Sequence, residues 1–218
     1  MRGSGFLAIW SDVAAQDLTD YRHWLTREHT TERVTTPGFL ASRVFCATRD
    51  DVNRFFILYE LEAPAVLDGQ AYLARLNAPT PWSQRIMPRL GNFIRGGGTM
   101  VTRAGRGEGA TIMALRVETL PERPEELAEA LVARDGIAAV QIGATDEART
   151  SVPTTEKGMR KDEGFFSGLL LIEALDRAAL RTALEQARTI APDVLGRASA
   201  PEIYQSMFAL DARIADFG

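Results

Sequence analysis

Apolar and polar positions along the chain follow two periods that alternate in a fixed order. Residues 5–13 (GFLAIWSDV) carry the apolar run of a strand. From Asp17 to Val34 apolar side chains return at spacings of three and four (Leu18, Tyr21, Leu25), the mark of an amphipathic helix. Asp17 is placed to cap this helix, and Pro37-Gly38 to stop it. Strands are predicted over 39–48 and 54–61, joined by the polar turn 49–53 as a hairpin. A helical pattern over 64–76 breaks at Asn77-Ala78-Pro79-Thr80-Pro81 and resumes from Trp82 to Leu90, since residues ahead of proline avoid helical backbone. A strand over 92–103, carrying Gly96-Gly97-Gly98, closes the series.

After a glycine-rich joint at 105–109 the same order returns. It runs strand 110–118, helix 124–134 opened by Pro124, strand 137–144, a polar loop, strand 165–174, helix 176–190 and strand 202–210. Two βαββαβ units of nearly equal length follow from this repeat. Such a unit folds as a four-stranded antiparallel sheet with both helices on one face. Strands such as RFFILYEL and FFSGLLLIEA are apolar on both sides, so the face without helices needs a cover. The expected fold is therefore α+β: two tandem ferredoxin-like units packed sheet to sheet in one chain. The first spans 1–104, the joint 105–109 and the second 110–218.

Composition narrows the function classes. With 45% apolar and 25% charged residues in 218, the chain is globular and long enough to bury a core without a metal or disulfide staple. A net charge of −4 argues against a nucleic-acid or anionic-membrane partner. The single cysteine, Cys46, excludes an intrachain disulfide and a cysteine-based zinc site, and reads as a small core residue. The apolar run Phe6–Trp10 is too short for a signal-peptide core or a membrane span, so a cytoplasmic protein is expected. Both lysines, Lys157 and Lys161, fall in the loop Arg149–Glu163, which reads as a mobile loop first and a lid second.

The first helix carries the candidate chemistry. At roughly 100° per residue, Leu18, Tyr21, Leu25, His29 and Glu32 share one stripe. Glu28 and Arg33 fall at its edges and His23 on the opposite face. Ionisable groups on a core-facing stripe either form a satisfied network or line a cavity. In the second case His29 acts as general acid or base, with Glu32 and Arg33 completing a catalytic group. Such a histidine is expected to be buried, to titrate near neutral pH and to have a hydrogen-bond partner. Tyr72, Arg75, Asn77 and Trp82 surround the proline break. Asn77 and Trp82 are candidates for a cavity mouth, while Thr80 and Pro81 read as the cap and first residue of a restarted helix. Trp10 and Tyr59 lie on strands and either faces that cavity or packs in the core. No phosphate loop or serine elbow is found; Gly96–Gly98 sits in strand context without a following Lys-Ser/Thr, and His29 with Glu28 or Glu32 could bind a metal ion, although one inward histidine is a poor start for zinc. The second half has no histidine, so the larger polar pocket is expected in residues 1–100, bordered by His29 and Trp82.

The tandem plan, with its first helix ending WLTREHTTERVTTPGF, resembles the dimeric α/β-barrel superfamily. That group holds cofactor-independent monooxygenases, muconolactone isomerases, EthD-like proteins and stress-responsive barrel proteins. The likeness is to EthD-like proteins through Trp24, Glu28-His29, Glu32-Arg33 and Pro37-Gly38-Phe39. It implies a barrel made within one chain, as a monomer with pseudo-dimeric halves or as a homodimer. It also implies a small-molecule enzyme without a bound cofactor, haem or a metal ion being the minor option. The substrate would be hydrophobic, aromatic or polyketide-like. His29 would move a proton in an oxygenase, isomerase or lyase reaction; Arg33 or Arg22 would hold an anionic oxygen, and Glu28 or Glu32 would orient the imidazole. Tyr59, Asn77 and Trp82 complete the candidate substrate contacts. The alternative is a non-catalytic ligand-binding or stress-responsive protein with the same cavity.

Overall fold

A computed structural model of the chain describes residues 2–160 and 162–215; Lys161 lies outside the described residues. The strands are β1 (Gly5–Asp12), β2 (Phe39–Ala47), β3 (Arg54–Leu61), β4 (Gly91–Gly105), β5 (Thr111–Val117), β6 (Ile137–Thr145), β7 (Gly168–Ala174) and β8 (Ile203–Asp211). Hydrogen-bonded neighbours follow the order β1-β3-β2-β8-β5-β7-β6-β4, which closes as an eight-stranded barrel order. The class is α+β. No helix among the described residues is long and apolar enough to cross a membrane.

The chain divides into two compact units. The first comprises Met1–Gly98, Asp146–Phe165 and Met207–Gly218, and the second Thr99–Thr145 and Phe166–Ser206. The polar loop that follows β6 thus belongs with the N-terminal residues, and β4 and β8 each contribute to both units.

In the first unit β3 pairs antiparallel with β1, from Gly5 opposite Leu61 to Asp12 opposite Arg54, and with β2 on its other edge. Alternation along these strands sends Leu7, Ile9, Phe55, Ile57 and Tyr59 to one face. There they meet α1 (Leu18–Trp24), a π-helical turn (Leu25–His29) and α2 (Thr30–Val34), which together form one helical stretch, with α3 (Gln70–Asn77) beside it. The helical stretch begins one residue after the predicted cap. Asp17 makes no capping bond; it ends a 3-10 turn and its carboxylate accepts from Arg89 at 2.8 Å. The pattern over 64–76 resolves into a 3-10 turn, Pro64–Asp68, followed by α3. Thr80 caps α4 (Pro81–Ile86) as expected, accepting from Ser83 N at 3.0 Å. Inside β4 a Cβ at Gly97 would stand 2.6 Å from the Phe6 carbonyl oxygen, so glycine there is a packing requirement.

In the second unit β7 pairs with β5 and β6 in the same manner, and α5 (Pro124–Val132) lies on the sheet. Two turns of the 146–165 segment that read as loop are helical, α6 (Glu147–Thr150) and α7 (Thr155–Gly158), and they belong to the first unit. The second unit continues with α8 (Arg177–Ile190), capped by Asp176, and α9 (Pro192–Leu195). Leu127, Leu131, Leu180 and Leu184 cover Met113, Leu115, Ile142, Leu170 and Ile172. A last turn, α10 (Ala212–Ala215), returns to the first unit.

Candidate functional site

The π-helical turn decides which side chains of the first helical stretch face the sheet. Leu25 O accepts from both the main-chain N–H and the hydroxyl of Thr30, the latter at 2.6 Å. A turn closed five residues on winds less per residue than an α-helix, so every later residue lags behind its α-helical direction. Arg33, predicted at the edge of the stripe, is carried into it and is 2% exposed; Glu32, predicted inside, moves to the margin. His29 is buried and its ring stacks on Trp24, with centroids 4.1 Å apart. Trp24 in turn donates to the Ser83 hydroxyl at 3.1 Å, which fixes the plane on which the imidazole lies. His23 is exposed, as its position opposite the stripe requires.

Around this pair lies a buried charge network that the sequence pattern did not reveal. Arg33 Nη2 donates to Glu156 of α7, and Arg160 Nη1 reaches the same carboxylate at 3.4 Å. Arg160 also grips Glu163 at 2.8 Å and lies 4.2 Å from the centroid of Phe93. Arg95 on β4 donates to Thr150 O at 2.9 Å and to the Tyr72 hydroxyl at 3.2 Å. The Tyr72 ring has the Arg33 guanidinium within 5.8 Å of its centroid and that of Arg95 within 6.0 Å.

The network leaves several donors and acceptors unused. Tyr59 Oη, His29 Nδ1 and Arg33 Nη1 are buried without a hydrogen-bond partner. Glu32 Oε2 stands 3.5 Å from Arg33 Nη1 but without hydrogen-bond geometry. Burial, reinforced by the positive charges of Arg33 and Arg160, holds the His29 imidazole well below its usual ionisation range. It is therefore neutral at physiological pH, and the expectation of a partnered histidine titrating near neutrality is corrected: its neighbours are guanidiniums, not carboxylates. Burial raises the Tyr59 hydroxyl, which stays protonated. Burial also raises Glu32, with Glu156 and Glu28 adding to the shift and Arg33 opposing it.

Among the residues predicted to bind substrate, only Tyr59 lies in this core. Arg22 is exposed. Glu28 is half-buried and accepts from Thr80 Oγ1 at 2.6 Å, bracing the capped start of α4. Trp82 donates to Asp20 at 2.9 Å, and Asn77, exposed, accepts from Thr155 N at 3.0 Å and so tethers the start of α7. Trp10 packs in the core, 4.7 Å from Phe56 between ring centroids. Cys46 is partly buried against the core.

The expected pocket is not where the sequence put it. Among the described residues, two recesses of the first unit measure about 110 and 10 Å³; both are lined from Arg95, Thr150 and Lys157, and neither from His29 or Trp82. Larger grooves lie on the second unit. One of about 380 Å³ runs between Leu120, Pro121, Leu127, Ile190, Pro192 and Val194. Another of about 440 Å³ is lined from Ala133–Gly136 and from Asp176, Ala178, Ala179 and Thr182. The first unit is filled instead by Arg33, Glu156 and Arg160.

Among the described residues no group of three or more His, Cys, Asp or Glu side chains is disposed to hold a metal ion. Haem requires an axial ligand facing a cavity of macrocycle size. His29 is stacked on Trp24 beside two guanidiniums, and among the described residues no recess of that size opens at His29, so these residues do not fit haem.

No family model matches the chain. No curated protein matches it in sequence. Solved structures do resemble it. An anthrone oxidase-like protein superposes with a TM-score of 0.58 at 12% identity, over 95% of this chain and 92% of that one. A provisionally assigned monooxygenase of Fusobacterium nucleatum gives 0.53 at 12% identity, over 97% and 96%. Chlorite dismutase from Candidatus Nitrospira defluvii gives 0.53 at 8% identity, over 95% and 92%. At such identities the likeness is one of fold.

Proposed function

We propose that the protein is a small-molecule enzyme of the dimeric α/β-barrel type, built from two ferredoxin-like repeats and carrying its site in the first unit. The strand orders β4-β1-β3-β2 and β8-β5-β7-β6 support the repeat. So do matching register shifts, after Phe39 in β2 and after Ile137 in β6, each just past a glycine with positive φ. The narrower likeness to EthD-like proteins rests on residues 24–39, which include Trp24, His29 and Arg33.

One observation carries the reading: three polar atoms, on Tyr59, His29 and Arg33, are buried without hydrogen-bond partners in one region of one unit. Leaving such groups unpaired costs about 1–3 kcal/mol each, a cost that a bound polar ligand removes. In this reading neutral His29 takes a proton from an acidic O–H or C–H of a hydrophobic, aromatic substrate. Arg33 Nη1 and the Tyr59 hydroxyl hold the resulting oxyanion. No bound cofactor is called for.

The anthrone oxidase-like neighbour suggests the probe. With anthrone, oxygen uptake and anthraquinone formation are followed; one O₂ is consumed and one water released per anthrone. His29→Ala is expected to lose about 10²–10⁴-fold of the rate, and His23→Ala to keep it. Full activity in a folded His29→Ala protein ends the catalytic assignment. The depressed ionisation of His29 favours a second reading, a ligand-binding protein without turnover, because such an imidazole is a weak base. Saturable binding of anthrone with no product identifies that case.

A further inference from the structure

Glu156 reaches out of its own segment to Arg33 and, within the segment, pairs with Arg160 at 3.4 Å. Main-chain bonds fix the 146–165 segment at its ends: Asp146 N to Gly97 O at 2.8 Å, Gly164 N to Phe93 O at 2.8 Å and Arg95 N to Gly164 O at 3.1 Å. Between these anchors it is held to the rest of the unit through side chains: Arg149 on Asp68, Asn77 on Thr155, Glu156 on Arg33, Arg95 on the Thr150 carbonyl, and Arg160 on Met87 and Phe93. Among the described residues the middle of the strap makes no main-chain bond to a strand, so it can move out without unpairing the sheet.

The two arginines that Glu156 pairs with are unequal. The side chains of Arg33 and Arg160 are each 3% exposed, and arginine does not shed its charge. Both require a counter-anion. Arg160 keeps one, Glu163, if Glu156 departs. Arg33 keeps only Glu32, at 3.5 Å and without a hydrogen bond. Arg33 presents a planar fork suited to a carboxylate or another ionised oxygen. Glu156 bonds one arm, while the other arm, the Tyr59 hydroxyl and His29 Nδ1 are left unused. The donors exceed what one glutamate uses, and the surrounding walls are the rings of Trp24, Phe39 and Tyr72.

We propose that Arg33 and its unpartnered neighbours form a binding site for the ionised oxygen of a small aromatic monoanion, and that Glu156 is the resident occupant which such a ligand displaces. The inference rests on the reading of the His29 cluster as a ligand site, and adds to it the ligand's charge and the exchange that admits it. Displaced, Glu156 moves to solvent with the middle of the strap, and the ligand's oxyanion takes over the Arg33 fork.

Benzoate is the probe and benzamide its uncharged control, both titrated calorimetrically into the full chain. Glu156→Gln is expected to bind benzoate at least tenfold more tightly than the wild type and to bind benzamide no better. Arg33→Gln is expected to lose benzoate binding. Equal or weaker benzoate binding by a folded Glu156→Gln protein, or no binding by either, overturns the proposal. Should that variant not fold, the wild type carries the test. Saturating benzoate should speed tryptic cleavage at Lys157 and Arg160, and unchanged or slower cleavage overturns the exchange. Benzoate exchange without turnover of any substrate supports this site and removes the catalytic reading; turnover without exchange does the reverse.

Discussion

The two units cover their sheets with different chemistry. In the second unit the layer between helices and strands is aliphatic: Leu127, Leu131, Leu180 and Leu184 on Met113, Leu115, Leu170 and Ile172. In the first unit the corresponding layer holds Tyr21, Trp24, His29, Arg33, Tyr59 and Tyr72, with Glu156 and Arg160 brought in by the strap. Aliphatic packing stabilises at any pH and asks for nothing further. Buried guanidiniums and carboxylates stabilise only when every charge is matched. The two units thus fill the same layer with groups whose stability depends on pH and pairing in one case and on neither in the other.

The largest expected effect contrasts the two layers directly. Arg33→Met leaves Glu156 buried with Arg160 alone and should cost about 3–5 kcal/mol, whereas Arg33→Met with Glu156→Met should recover most of the loss. Leu131→Ala in the second unit should cost about 2–5 kcal/mol, with no second substitution that restores it by removing a partner. Urea unfolding of the three proteins measures this, and a double variant no better than the single would break the contrast.

A smaller effect separates the units by pH. The folded state holds His29 well below the usual histidine range, so between its depressed pKa and about 6.5 the unfolded chain binds the extra proton. Stability contributed by neutral His29 is complete above about pH 6.5 and is lost below it, by at most about 1.4 kcal/mol per pH unit. His29→Phe, which keeps a ring against Trp24, should flatten the fall seen between pH 7 and 5. An unchanged slope would mean that the imidazole is not excluded from protonation. The second unit has no histidine to add such a slope.

The smallest effect tests what the units share. Gly38, with φ +90°, and Gly136, with φ +76°, both precede a register shift, and added Cβ atoms would meet Val66 and Ala179. Alanine at either should cost about 1–2 kcal/mol for the left-handed backbone alone. A neutral Gly136→Ala would show that the two turns are not equivalent.

The sequence made the elements legible because their periods are clean and their stops are glycines and prolines. Strands and helices fall close to the predicted spans, and the capped restart at Thr80-Pro81 follows from two residues. His29 inward and His23 outward also follow from period alone. What period could not show was the π-helical turn, which exchanges the places of Glu32 and Arg33. Nor could it show the partners from 146–165. Glu156, Arg160 and Glu163 stand at helix-like spacings of four and three, and Thr154 caps α7 through Lys157 N, but α7 is too short to announce itself by periodicity. The cavity went astray for the same reason, since the side chains that fill it come from far along the chain.

The wide turn at Leu25–His29 also says something about lineage. A π-helical turn holds one residue more than the α-helical turn it replaces, so it absorbs a single inserted residue without turning the rest of the helix. Removing exposed Arg27 would straighten the helix and leave His29 and Arg33 aimed where they are now. Adding one more residue would turn both toward a new direction. Which charge reaches the middle of the first unit is thus settled by a count of residues, and a length change of one codon here is either silent or decisive according to its sign.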